Sequence, residues 1–161
     1  MLLLGASCSQ AKQVYRVTML GSIVDTACAI DVGSYEQSID MGILPLSSLK
    51  NQGYGKDKSF NINLIGCRVL SHDGKPWEAF EISFEGAAQN NWFMVFGSAE
   101  GVAISLLDSD GLLIYPGKKL INQNFLSGNQ SLHYKLRLVS DGKPLRAGTY
   151  QSSIKFKINY Y

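Results

Sequence analysis

The sequence predicts an all-β fold, an antiparallel sandwich, and three observations carry the prediction. Apolar and polar residues alternate at period two along most of the chain. Turn clusters of Gly, Asn, Asp and Pro recur between those runs. No segment of ten or more residues carries a helical apolar stripe. The length of 161 residues suits one domain, and 45% hydrophobic against 17% charged residues supplies a core.

The elements follow in order. Residues 1–11 carry no charge and run from apolar to small, ending in Ser9-Gln10-Ala11, a small-x-small cleavage pattern; they read as the remnant of a secretory leader. Residues 12–20 form a short extension that leads into a first strand, and 21–161 form the domain. Val17–Val24, Ala29–Val32 and Gln37–Met41 read as short strands that open a sheet. Between Leu44 and Ser59 the text turns to Pro45, Ser47, Ser48, Gly53 and Gly55, a surface connection with one helical turn around Leu46–Leu49.

Phe60–Cys67 alternates with Phe60, Ile62 and Leu64 on one face, and Asp73-Gly74-Lys75-Pro76 turns the chain after it. Phe80–Phe84, Trp92–Phe96, Val102–Leu107 and Leu112–Tyr115 continue the strand pattern, with a turn at Asp108-Ser109-Asp110-Gly111. An Asn-rich polar stretch reaches Gly128, and Ser131–Val139 and Gly148–Tyr161 complete the set. Seven or eight short strands with frequent turns describe a sandwich.

The last run is the most informative. Tyr150, Ser152, Ile154, Phe156, Ile158 and Tyr160 share one face; Gln151, Ser153, Lys155, Lys157, Asn159 and Tyr161 share the other. A sandwich that finishes there, with no residues left to cover its neighbour, exposes an apolar groove and an unpaired edge that another chain can fill. The competing reading is an ordinary last strand in a closed sandwich.

Several functions are disfavoured. The net charge of +2, with no basic run longer than Lys118-Lys119, lacks the footprint of a nucleic-acid binder. No apolar stretch approaches the roughly 20 residues a spanning helix needs. Ser105 and Ser109 lie near Asp108 and Asp110 but have no His nearby, so no catalytic residue is assigned and an enzyme is not expected. Asp108–Gly111 lacks the remaining ligands of a calcium loop, and Asn129-Gln130-Ser131 reads most simply as a turn. The spacing of Cys28, Cys67, His72 and His133 suits no zinc site, so neither metal nor cofactor is expected. Tyr54, Trp77, Trp92 and Tyr115 are too dispersed to suggest a sugar platform.

If Cys8 leaves with the leader, Cys28 and Cys67 remain as a candidate bridge, each beside an alternating segment. Two unpaired buried thiols are the alternative.

Taken together, several segments resemble subunits of the chaperone-usher fimbriae, the pili of Gram-negative bacteria. They are Gly21-x-Ile23-Val24-x-x-x-Cys28-x-Ile30, Gln37-Ser38-Ile39-Asp40-Met41-Gly42 and Phe60-x-Ile62-x-Leu64-x-x-Cys67. Further on come Phe84-x-Gly86, Val102-x-Ile104-x-Leu106-Leu107-Asp108-x-x-Gly111, Leu132-x-Tyr134 and Ala147-Gly148-Thr149-Tyr150. The resemblance runs from about Val17 to Tyr161.

The resemblance implies an immunoglobulin-like sandwich lacking its final strand, with a disulfide between Cys28 and Cys67. It also implies a periplasmic chaperone as first partner, then the outer-membrane usher and neighbouring subunits, and a final place in a surface fimbrium that supports cell adhesion. Ile154, Phe156, Ile158 and Tyr160 would lie along the zipper, and the carboxylate of Tyr161 would be held by basic chaperone residues. Val14, Tyr15, Val17 and Met19 would belong to an extension donated to a neighbour. That extension is short and has no Gly between Lys12 and Leu20, which suggests either a minor subunit such as a terminator or adaptor, or a sequence whose true start lies upstream. The competing function is a self-contained secreted sandwich that binds a carbohydrate or protein ligand.

Overall fold

The structure is a computed structural model that describes residues 18, 20–122 and 126–161. Its elements run β1 (Ala29–Ile30), α1 (Val32–Tyr35), α2 (Leu46–Gln52), β2 (Lys58–Cys67), β3 (Phe80–Gly86), β4 (Ala88–Gln89) and β5 (Trp92–Met94). They continue with β6 (Phe96–Gly97), β7 (Val102–Asp108), β8 (Leu113–Ile114), β9 (Leu120–Asn122), β10 (Gly128–Ser140), β11 (Tyr150–Gln151) and β12 (Ile154–Tyr160).

One sheet has the order β1-β2-β10-β7-β5-β4, with β8 also on β7; the other has the order β12-β3-β9, and β6 with β11 forms a small ribbon. All strand pairings among the described residues are antiparallel. The core lies between the layers, where Ile62 and Leu64 of β2 and Ile104 and Leu106 of β7 join Phe80, Ile82 and Phe84 of β3 in one buried cluster. Those residues occupy alternate positions of their strands, so each strand turns one apolar row inward.

The bridge between Cys28 and Cys67 is formed. Strict alternation from Leu64 would turn Cys67 away from the core, yet it is buried in the same cluster. A bulge resolves the conflict. The register slips between Gly128↔Cys67 and Gln130↔Leu64, so β2 carries an extra residue there. Gly66, at φ 60°, takes the left-handed conformation that this extra residue requires.

Among the described residues, two predicted strands near the start of the domain are absent. Residues 18 and 20–24 form no strand, and the side chains of Leu20 and Ile23 are almost fully exposed. Gln37–Met41 forms none either, although Ile39 and Met41 are partly buried. Alternation marks a segment able to be a strand, but a strand exists only where its backbone finds a partner. Asp31 stops the predicted Ala29–Val32 strand after Ile30, because its carboxylate accepts from Gly33 N at 2.9 Å and caps α1. The helical turn at Leu46 runs on to Gln52. The remaining residues of the predicted leader and extension, Val14, Tyr15, Val17 and Met19 among them, lie outside the described residues.

Two predicted strands are each split in two. Trp92–Phe96 breaks at Val95, where β5 leaves β7 and β6 joins β11. Gly148–Tyr161 breaks at Ser152–Ser153, where β11 leaves β6 and β12 joins β3. Ser152 Oγ donates to the Met94 carbonyl at 2.8 Å, tying the two crossovers together. The ribbon between them is tight: a Cβ on Gly148 would lie 2.5 Å from Ala99 N, so no larger residue fits without backbone movement.

Tyr134 of β10 packs between the sheets, its ring 4.9 Å from that of Phe84 and 5.6 Å from that of Phe60. Burial, aided by the charge of Asp108, pushes its phenol up to about 12. The unfolded chain ionises this group near pH 10 and the folded chain only near 12, so its contribution to stability is intact below pH 10 and lost as pH rises to 12. Tyr134→Phe is therefore expected to extend the alkaline limit of the fold, read from denaturation midpoints between pH 9 and 12 alongside phenolate absorbance.

Candidate functional site

β12 and β3 face each other residue by residue: Ile154 opposite Gly86, Phe156 opposite Phe84, Ile158 opposite Ile82, and Tyr160 opposite Phe80. The β3 members Phe84, Ile82 and Phe80 are 1%, 2% and 0% exposed. Their β12 neighbours Phe156, Ile158 and Tyr160 share the same face of the same sheet, yet all are only partly buried. The chemistry of the two rows is similar, so position explains the difference. β3 has β9 on its other side, whereas no strand among the described residues pairs with the outer edge of β12.

Beside that edge lies a groove of about 1140 Å³. One wall is formed by Tyr150–Phe156 and the other by Tyr35–Leu44, while Phe84, Ile104, Leu106 and Leu138 contribute to the floor. The walls sense each other electrically: burial raises the pKa of the Tyr150 phenol, and the carboxylate of Asp40 on the opposite wall raises it further. Core residues thus reach an open hollow that borders Ile154–Phe156 of β12, whose outer edge pairs with no strand among the described residues. Such an arrangement can accept an extended segment carrying alternate apolar side chains.

The row expected to form a zipper divides. Ile154 and Phe156 line the groove; Ile158 and Tyr160 lie beyond its lining, and Tyr160 packs against Trp77 with ring centres 6.1 Å apart. Tyr161 points to the other side of the sheet, where its hydroxyl donates to Glu81 Oε2 at 2.6 Å. Sequence reasoning missed the second wall, because Gln37–Met41 reads as a paired strand rather than a border. Its alternating Ile39 and Met41 were the available signal.

The residues weighed for other chemistry have structural partners. Asp108 Oδ1 accepts from Asp110 N at 2.9 Å and Leu112 N at 2.8 Å, closing the turn. Ser105 is buried on β7, and His133 Nδ1 pairs with Asn61 Oδ1 at 2.8 Å. Tyr54 lies beneath the Arg137 guanidinium, and Tyr115 beneath the Lys118 ammonium. Among the described residues no three His, Cys, Asp or Glu gather into a metal-ligand cluster. No helix among them is long and apolar enough to cross a membrane.

Residues 17–161 match the sequence profile of the family described as fimbrial protein. The chain belongs to that family. Among curated proteins, the fimbrial protein is 29% identical over 149 residues to the PRS fimbrial minor pilin protein of Escherichia coli, covering 90% of this chain and 76% of that one. It is 28% identical over 149 residues to the PAP fimbrial minor pilin protein of Escherichia coli, with the same coverages. Among solved structures, the P pilus rod subunit PapA superposes with a TM-score of 0.73 at 24% identity, over 84% of this chain and 100% of that one. That likeness assigns the fimbrial protein the immunoglobulin-like sandwich fold of the pilus subunit.

Proposed function

We propose that this chain is an exported structural subunit of a chaperone-usher fimbrium, completed in trans by a strand that adds along the outer edge of β12. The observation that carries the reading is the incompletely buried inward row of β12 opposite the fully buried row of β3. An added strand would cover Ile154 and Phe156 from the groove side and pair with the open backbone edge. A periplasmic chaperone supplies that strand first; a neighbouring subunit replaces it at the outer-membrane usher, and the assembled fimbrium supports adhesion at the cell surface. Subunit assembly then proceeds by exchange of strands, without catalysis.

The likeness to two proteins named as minor pilins supports a minor place in the fimbrium, a terminator or an adaptor. Within this reading Gln13–Met19 is the segment given to a neighbour. An unchanged assembly yield after its deletion would overturn that assignment.

The principal test is periplasmic expression of the chain with and without a pilus chaperone, following soluble yield and co-purification. Recovery as a 1:1 complex, with little soluble chain in the chaperone's absence, is expected. A stable monomer in both cases would overturn the reading and put a self-contained ligand-binding sandwich in its place.

A further inference from the structure

Strand alternation sends Glu81 to the face of β3 opposite the core residues Phe80 and Ile82, yet Glu81 is only 5% exposed. A carboxylate so covered is costly unless its oxygens are paired and hydrogen-bonded. Three donors do this: the Tyr161 hydroxyl at 2.6 Å, Lys119 Nζ at 3.1 Å and Asn159 Nδ2 at 3.2 Å. Asn159 lies directly opposite Glu81 on β12, and Ile121 directly opposite it on β9. The carboxylate therefore ties the end of β12 and the residue before β9 to the central strand.

β12 needs such a tie at this end. The groove lining stops at Phe156, and no strand among the described residues supports the outer edge beyond it. The backbone ladder does continue, through Tyr161 N to Ala79 O at 3.0 Å and Glu78 N to Tyr161 O at 2.8 Å. An edge ladder opens readily unless side chains hold it. A strand that adds by backbone pairing can use only the fraction of molecules in which the edge is ordered.

We propose that Glu81 is a positioning residue for strand addition: by holding Asn159 and Tyr161 on the outer face, it keeps the far end of β12 in place for an incoming strand. The inference rests on the strand-addition reading above. The groups around the carboxylate are Lys119 from the segment before β9, and Tyr161 and Asn159 at the end of β12; the Lys157–Glu85 pair, at 3.3 Å, is farther along the same face. The Tyr161 hydroxyl bond, with Lys119 and Asn159, holds the Glu81 pKa below its ordinary 4.5 against the opposing effect of burial. Protection that depends on the charged form is thus present above pH 4.5 and lost as pH falls through the depressed pKa.

The test uses the full chain and two probes, a synthetic peptide of residues 12–24 and a pilus chaperone. Glu81→Ala is expected to speed amide exchange at Asn159–Tyr161 roughly tenfold, with under about a twofold change at Ile154–Phe156, and to slow capture of the probe. Glu81→Gln, which keeps an acceptor for Tyr161, is expected to restore part of the protection and to lack the acid step. Equal acceleration along all of β12, or an acid step that persists in Glu81→Gln, would overturn the role. Capture by Glu81→Ala at the unaltered rate would overturn it too. If the unaltered chain captures neither probe, the strand-addition reading itself fails.

Discussion

Replacing Cys28 and Cys67 together by alanine is expected to lower stability by about 4 kcal/mol, because the bridge closes a 39-residue separation and restricts the unfolded chain. That is a large fraction of the roughly 5–15 kcal/mol that holds a typical domain together. The bridge joins the residue before β1 to the last residue of β2. β1 itself makes only two register pairs, Ala29↔Ile65 and Ile30↔Leu64. Without the bridge, the segment before α1 keeps few ties to the sheet, among them Arg68 N donating to Ala27 O at 2.8 Å. Alanine is the appropriate replacement because both positions are buried in the core cluster, where a serine hydroxyl would need a partner. Urea midpoints of the variant and of the reduced parent should coincide. A loss under about 1 kcal/mol would show that the denatured chain is already restricted by other means.

Phe84→Ala is expected to cost about 3–5 kcal/mol, the range for a fully buried aromatic side chain. Phe84 is 1% exposed, packs edge-on to Tyr134 and contributes to the groove floor, so its removal also deepens the groove. Ile154→Ala provides the contrast. Its side chain is partly exposed at the groove wall, so in the isolated chain the expected loss is only about 1 kcal/mol, a fraction of the full burial value. Once a strand covers the groove, the same substitution should cost more, whereas Phe84, already 1% exposed, has little further burial to gain. Denaturation of both variants, free and chaperone-bound, measures that difference as a double-mutant cycle with the added strand as second element. An equal Ile154→Ala cost in the two states would mean that the strand does not bind over Ile154.

Long central strands were legible because their pattern and their burial agree. Phe60, Ile62 and Leu64 alternate in the sequence and alternate in the structure, and the mostly apolar Val102–Leu107 is buried throughout in β7. The end strands were less legible. Val17–Val24 and Gln37–Met41 show the same alternation, but their described residues have no sheet partner and form no strand. The short β9, Leu120–Asn122, went unread because three residues carry too little periodicity, and its place on β3 decides its state. Of the groove, the sequence indicated the β12 wall and left the Tyr35–Leu44 wall and the reach of the lining unspecified.

By itself the sequence determined the strand-forming character of the chain, the inward row Ile154, Phe156, Ile158 and Tyr160, and the likeness that names the family. Each is a local property, set by side-chain alternation and residue type along a few positions. Only the tertiary structure decided that a bulge at Gly66 turns Cys67 toward Cys28, that Ser152–Ser153 passes the chain between sheets, and that Glu81 is covered by Asn159, Lys119 and Tyr161. Each of these depends on residues distant in sequence arriving at one place. Alternation states which side of a strand is apolar; what lies against that side is fixed only when the sheets close.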